Sequence, residues 1–186
     1  DNPVDSTPHV LDGKVQAIGP VGSVMVVGGS FGKIRDASSS AQISQPNLFA
    51  FDAATGRIEK TFHPAVDGSV ETVVAGPVAG TVIIGGAFRT VNGSARRGLA
   101  MLRVSDGSVV TSFTATTNGT VYKVLVRGDR LVVGGEFTTI AGSGRDRLAV
   151  LDATTGALDS GFNVPIAGNR KPDVQPKSLV FEMDAT

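Results

Sequence analysis

The sequence predicts an all-β chain built from repeated antiparallel sheets, and three observations predict it. The phrase Gly-Gly-x-Phe occurs three times, as Gly28-Gly29-Ser30-Phe31, Gly85-Gly86-Ala87-Phe88 and Gly134-Gly135-Glu136-Phe137, each behind a β-branched run. A recurrence of about 50 residues marks stacked, near-identical units. The spacing behind each phrase also repeats: Gly86 to Gly107 and Gly135 to Gly156 are 21 residues each, and Gly29 to Gly56 is 27. Finally, no window carries apolar residues at helical spacing without an interrupting glycine, and 24 Gly in 186 residues disfavour long helices.

Each unit reads as four short strands. In the third they are Val121–Val126, Arg130–Phe137, Arg147–Leu151 and a last one around 158–164. The runs Val24-Met25-Val26-Val27, Val82-Ile83-Ile84 and Leu131-Val132-Val133 are apolar on both faces, as a strand buried on both sides must be. The paired glycines let the backbone bend or a neighbouring sheet approach. Phe31, Phe88 and Phe137 then fill the space between sheets, at about 2–3 kcal/mol per buried ring.

The turns carry their own chemistry. Asp52-Ala53-Ala54-Thr55-Gly56 and Asp152-Ala153-Thr154-Thr155-Gly156 read as hairpin connections, with Asp binding backbone amides and Gly taking the left-handed position. The second unit has Arg103 where the leading Asp should stand, so a ring of functional aspartates would be broken there. Gly56, Gly107 and Gly156 precede Phe62, Phe113 and Phe162 by six residues, and six more reach Gly68, Gly119 and Gly168. The six residues added in the first unit fall in the polar stretch 36–42.

Composition narrows the function classes. With 17 basic and 17 acidic side chains, one Tyr and no Trp, the chain lacks a basic footprint and stacking platforms for nucleic acid. No apolar stretch is long enough to span a bilayer. Cysteine is absent, which excludes disulfides and thiolate metal sites. The low charge, the Ser, Thr, Gly and Val content and the opening Asp1-Asn2-Pro3 point to a secreted or cell-surface protein.

The segment Val132 to Gly142, then Arg147 to Asp152, then Gly156 to Phe162, resembles the bacterial delta-60 repeat, and Gly85 to Gly93 matches its central signature. The resemblance covers about residues 15–168 and implies a β-propeller, mostly in exported bacterial proteins without an assigned activity. Fungal cell-polarity markers carry similar blades, a weaker resemblance. No catalytic residue carries over from either.

On that reading residues 1–14 are a tail, 15–69, 70–120 and 121–168 are four-stranded blades, 169–177 is an insert, and 178–186 opens a fourth blade. Propellers close with four to eight blades, so three and a strand form a partial ring. Two explanations follow. The chain is a fragment whose remaining blades are missing, or its ring is completed by a second copy or another polypeptide.

Candidate sites are few. His9 and His63 stand outside any metal-ligand spacing, no nucleophile elbow or P-loop occurs, and neither a cofactor nor a metal is expected. The Asp-Ala-x-Thr-Gly turns are similar to those of quinone-dependent dehydrogenases, but the docking tryptophan of those units is missing. Arg127-Gly128-Asp129 reads as a tight turn rather than an adhesion motif, and the sequons at Asn92 and Asn118 also fall at turns. The loop between second and third strands holds Arg35 and Asp36, Arg96 and Arg97, and Arg145, Asp146 and Arg147. Repeat symmetry would gather these on one rim, where arginine forks bind carboxylates, sulfates or acidic glycans. The competing reading is that each Arg pairs with a neighbouring Asp. The longer first loop and the 169–177 insert come next, because departures from a repeat mark binding faces. The expected function is a non-enzymatic exported or cell-surface propeller that binds a protein or glycan through one rim. The alternative is a fragment of a propeller enzyme (hydrolase, lyase or oxidase) whose catalytic residues lie mostly in missing blades, and a modular spacer is a third.

Overall fold

In the computed structural model, which describes residues 6–162, every element is a strand or a turn. The first blade holds β1 (His9–Val10), β2 (Lys14–Val21), β3 (Val24–Ser30), β4 (Lys33–Arg35), β5 (Gln42–Ser44) and β6 (Leu48–Asp52). The second holds β7 (Val70–Ala75), β8 (Thr81–Gly86), β9 (Thr90–Val91), β10 (Ser94–Ala95) and β11 (Leu99–Arg103). The third holds β12 (Thr120–Arg127), β13 (Arg130–Glu136), β14 (Thr139–Ile140), β15 (Ser143–Gly144) and β16 (Leu148–Asp152). The main sheets are antiparallel and three-stranded, in the orders β2-β3-β6, β7-β8-β11 and β12-β13-β16.

The fourth strand expected in each blade is reduced to a single bridge: Phe51 with Ile58, Leu102 with Val109, and Leu151 with Leu158. The chain then turns at once, as where Phe62 N–H donates to Glu59 O and Phe113 N–H to Val110 O. That turn drops Phe62 and Phe113, at 1% and 0% exposure, between blades. A straight fourth strand would carry them along the sheet edge instead. The loop between second and third strands is itself structured, as the hairpins β9–β10 and β14–β15 and the β4–β5 pair to which β1 adds a strand.

The two glycines of each pair have different neighbours. A Cβ on Gly28 would lie 2.5 Å from Cγ1 of Val70, and one on Gly85 would lie 2.7 Å from Cγ1 of Val121, so the first glycine admits the next blade. A Cβ on Gly29, Gly86 or Gly135 would lie 2.0–2.2 Å from the carbonyl oxygen of Lys14, Ser69 or Thr120, at or just before the start of the blade's own first strand. Opposite each pair that strand bulges, between Val15 and Ala17, Val70 and Thr72, and Val121 and Lys123.

Alternation along the strands then feeds two junction cores. Val26, Leu48, Ala50, Phe62, Val82 and Ile84 lie between the first and second blades. Ile83, Leu99, Met101, Phe113, Leu131 and Val133 lie between the second and third. Phe88 belongs to the first of these cores and Phe137 to the second, while Phe31 joins Val27, Ile34 and Phe49 on the outer face of the first blade. Strands β2, β7 and β12 contact one another in series, which puts the first strands innermost.

Linkers dock on the blade that follows them. Val66 bridges to Val91 and Thr117 to Ile140. A side-chain oxygen then clamps two backbone amides: Asp12 takes Gly32 and Lys33, Asp67 takes Arg89 and Thr90, and Asn118 takes Thr138 and Thr139, all at 2.7–3.0 Å. The tail drawn at 1–14 therefore enters the first blade early, since His9 and Val10 already pair with Arg35 and Ile34. The end of the third blade, the 169–177 insert and the 178–186 segment lie outside the described residues.

Candidate functional site

Strand register sorts the seven rim candidates into two positions. Lys33 pairs with Ser44, Thr90 with Ala95 and Thr139 with Gly144, so Gln45, Arg96 and Arg145 are equivalent, at the base of each small hairpin. Arg97 and Asp146 follow them, at the position of Pro46, and Arg147 is equivalent to Gly98 and Asn47. Arg35 and Asp36 sit instead at the far end of the first hairpin, where the other blades have the turns Asn92-Gly93 and Ala141-Gly142. The seven residues therefore do not form a single ring, because the insertion in the first hairpin offsets the sequence alignment.

At the base position Arg96 and Arg145 adopt one geometry. Each Nη1 donates to the carbonyl of the preceding residue, Ala95 at 2.9 Å and Gly144 at 2.8 Å. Each Nε is buried without a hydrogen-bond partner among the described residues, as is that of Arg35. None of the five rim arginines is in an ion pair among the described residues. Asp-to-Arg ties between blades are thus not what holds this edge. Gln45, their counterpart in the first blade, is buried and donates to Leu48 O and Pro64 O.

Arg147 has a backbone duty. Its φ is 64°, matching 64° at Asn47 and 74° at Gly98. At all three positions the N–H donates to the repeat phenylalanine's carbonyl and the C=O accepts from the second glycine of the pair. Non-glycine residues rarely hold this left-handed conformation, so the site is set by closure of the loop.

The first hairpin builds a cavity. Ile34 pairs with Ile43, nine positions on, whereas Val91 pairs with Ser94 and Ile140 with Ser143, three positions on. Between the enlarged hairpin and residues 57–63 lies a space of about 690 Å³, within the range of small-ligand sites. Its apolar lining comes from Ile34, Phe49, Ile58 and Phe62, and its polar lining includes Ser38, Ser39, His63, the cations Arg57 and Lys60 and the carboxylates Asp36 and Glu59. Asp36 fixes the hairpin in place. One carboxylate oxygen accepts from Ser38 N–H at 3.2 Å and Ser38 Oγ at 2.9 Å, and the other from Ile58 N–H at 3.2 Å. The Ser38 hydroxyl, then the Ser38 and Ile58 amides, hold its pKa below the usual carboxylate value. Arg57 and Lys60 make no ion pair among the described residues, although the Arg57 charge also helps to lower the Asp36 pKa.

The bulge residues form a feature that sequence reasoning missed. Gln16, Glu71 and Tyr122 are the extra residues of the three first strands. Gln16 Nε2 donates to Glu71 Oε2 across the first junction, and Tyr122 OH donates to Glu136 Oε2 at 3.0 Å. Burial, Glu136 and then Glu71 push the Tyr122 phenol above its usual pKa. The signal available was a bulky polar residue three positions after Gly13, Gly68 and Gly119. Among the described residues no three of His, Asp and Glu gather as metal ligands.

Comparison with known proteins supports a propeller-like chain. A family model described as a domain of unknown function (DUF5122), beta-propeller, matches residues 129–162. No curated protein matches the sequence. Among solved structures, the computationally designed Ika4 protein is similar at a TM-score of 0.50 and 16% identity, over 79% of this chain and 71% of that one. The Neurospora crassa Pan2 WD40 domain gives a TM-score of 0.47 at 11% identity, over 78% of this chain and 38% of that one. BamB from Moraxella catarrhalis gives 0.40 at 17% identity, over 82% and 50%. The chain thus spans half or less of the last two.

Proposed function

We propose that the chain is a non-enzymatic, exported or cell-surface propeller segment of the delta-60 repeat type that binds a protein or glycan ligand at its outer edge. The observation that carries this reading is the cavity beside the first hairpin. It exists where one blade departs from a repeat the other two keep, and departures of that kind mark binding faces in repeat proteins. The cavity joins an apolar lining to Arg57 and Lys60, beside the carboxylates Asp36 and Glu59. Because the Asp36 carboxylate is taken up by Ser38 and Ile58, the two cations suit an acidic group attached to an apolar or sugar body. Arg96 and Arg145, fixed at equivalent positions on the neighbouring hairpins, extend the cationic edge.

The test is a binding screen against acidic and neutral glycans and against extracellular proteins. Two variants accompany the wild type: one with residues 35–42 replaced by the Asn-Gly pair of the second blade, and an Arg57→Ala/Lys60→Ala double variant. Acidic ligands should be retained by the wild type and lost from both variants. A ligand set held equally by all three proteins would remove the cavity from the function. Fractionation of the source cells, with the protein expected in the medium or at the surface and not with a cytoplasmic marker, checks the location.

A further inference from the structure

The enlarged first hairpin leaves a strand edge unpaired beside the cavity. Its returning strand β5 covers three residues, Gln42–Ser44, where β10 and β15 cover two each. In the sheet ordered β1-β4-β5 it is the last strand, paired with β4 alone among the described residues. Register decides which of its backbone groups are left over. Gln45 N–H donates to Gly32 O, so Lys33–Ser44 and Arg35–Gln42 are non-hydrogen-bonded pairs and Ile34–Ile43 is a bonded one. The N–H and C=O of Gln42 and Ser44 therefore point away from β4, and neither residue has a backbone partner on that side among the described residues. Gln42-Ile43-Ser44 also holds neither a charge nor a proline to keep another strand off.

The cavity lies along this strand. Ile43 and Ser44 line it on one side, and Ile58, Glu59 and Lys60 line it on the other. The two walls are tied at both ends: Ile58 N–H donates to Asp36 at 3.2 Å, and Gln45 Nε2 donates to Pro64 O at 3.3 Å. The space is thus formed before anything enters it, which lowers the ordering cost of binding. Three strand residues span about 10 Å, enough to pair with a segment of that length. A strand laid against β5 would put one side chain beside Ile43, on the face that packs with Ile34 and Phe49. The side chains before and after it would lie on the opposite face, where Lys33 and Arg35 stand across from Ser44 and Gln42.

We propose that the cavity takes an extended peptide segment, an apolar residue flanked by acidic ones, which pairs with Gln42 and Ser44 and adds a fourth strand to the β1-β4-β5 sheet. This inference rests on the cavity reading above and selects a peptide from the ligands it admits. Main-chain bonds to a sheet edge supply affinity, and alternate side chains supply selectivity. The apolar residue suits the lining from Ile43, Ile58 and Phe49. Acidic flanks suit Arg35, Arg57 and Lys60, none of which is in an ion pair among the described residues. Of the two lining carboxylates, Asp36 is taken up by Ser38 and Ile58, which leaves Glu59 as the opposing charge. A glycan offers no N–H and C=O groups at strand spacing, and it becomes an outcome of the test.

Fluorescence anisotropy on the wild-type chain tests this with a labelled, capped heptapeptide, Ser-Glu-Val-Glu-Val-Glu-Ser. Two derivatives carry backbone N-methyl groups, one on the valine amides and one on the glutamate amides. In an extended strand these amides point to opposite edges. One derivative should therefore bind about tenfold more weakly than the parent, through the loss of about two hydrogen bonds, and the other should bind as the parent does. Equal affinities of the two derivatives overturn the proposal. Ser44→Pro removes only an outward N–H, which an edge strand tolerates. It should keep the wild-type far-ultraviolet spectrum and lose about tenfold in affinity for the parent peptide. A folded Ser44→Pro that binds as the wild type does also overturns the proposal, and if that variant unfolds the methylated pair decides alone. Acidic glycans that bind the wild type and not Arg57→Ala/Lys60→Ala, with no peptide binding up to about 1 mM, leave the cavity reading standing and remove the strand pairing. Binding of neither class removes both.

Discussion

At the two blade junctions, valine meets glycine with almost no slack: Val70 against Gly28, and Val121 against Gly85. At the outer edge the same repeat tolerates a hairpin of minimal length in two blades and one six residues longer in the first. The junctions are buried on both sides, so shape there is fixed by packing. The hairpins face solvent and are held mainly by backbone hydrogen bonds and by single side chains such as Asp36, Asp67 and Asn118. Loop length is cheap at such an edge, because closure entropy grows slowly with length. The frame is thus conserved in shape where blades meet, and chemistry varies where they do not.

The largest expected effect comes from breaking a junction. In Gly85→Val the new Cβ would stand 2.7 Å from Val121 Cγ1 and 2.8 Å from Thr72 Cγ2. Overpacking of this kind costs about 3 kcal/mol. A urea melt should show that loss, while Gly93→Ala in a hairpin tip, where no atom lies within 4 Å, pays the smaller penalty of its left-handed φ. Equal losses would show that the junctions are not tighter than the edge.

Truncation sharpens the same contrast at lower amplitude. Val121→Ala removes two methyl groups from a site with no exposure and should cost about 2 kcal/mol in a thermal or urea melt. Val15→Ala, at the equivalent but 43% exposed position, should cost a few tenths of a kcal/mol in the isolated chain. If Val15→Ala matches Val121→Ala, the β2 face is covered in solution.

Smaller still is a gain at the edge. Arg147 holds a φ of 64° where the second blade has Gly98, and its N–H and C=O are both bonded within the loop. Arg147→Gly should stabilise the chain by up to about 1 kcal/mol, relief of the left-handed conformation outweighing glycine's entropy. A loss instead would mean that the guanidinium contributes more than the backbone costs.

The sequence made the frame legible through residues whose role is geometric. Gly28, Gly85, Phe62 and Phe113 announce themselves because only glycine admits so close a sheet, and only a large ring fills the gap. Polar placement was harder to read. The clamp formed by Asp12, Asp67 and Asn118 mixes two residue types at one position, and its partners lie 20–23 residues away. The bulge at Gln16, Glu71 and Tyr122 has no shared chemistry at all. Repeat symmetry alone puts Arg35 on one rim with Arg96, because the insertion in the first hairpin can lie on either side of Arg35, and only strand pairing decides. The apolar spacing around 158–164 reads as a full fourth strand, whereas pairing stops at one bridge, and in the first two blades the following phenylalanine, Phe62 or Phe113, is buried between blades.

The smallest effect expected concerns the turns that end each main sheet, where the first and third blades again differ from the second. Asp52 and Asp152 each accept from two backbone amides and from the hydroxyl of Thr55 or Thr155, at 2.7–3.1 Å. The threonine hydroxyl, then the amides, hold both carboxyls below the ordinary value. In the second blade Arg103 replaces the leading Asp, and Asp106 bonds Ser108 alone. A carboxyl whose folded pKa is depressed contributes stability that is present above its unfolded value, about 4, and lost as pH falls through the folded value. The melting temperature should therefore decline below about pH 4, and Asp52→Asn/Asp152→Asn should flatten that decline more than Asp106→Asn does. Asp12, Asp36 and Asp67, also depressed by hydrogen bonds, keep part of the slope in every variant. A wild-type melt that is level from about pH 6 to pH 2 would mean that these bonds form as well with the neutral acid, and that the turns are held by backbone geometry.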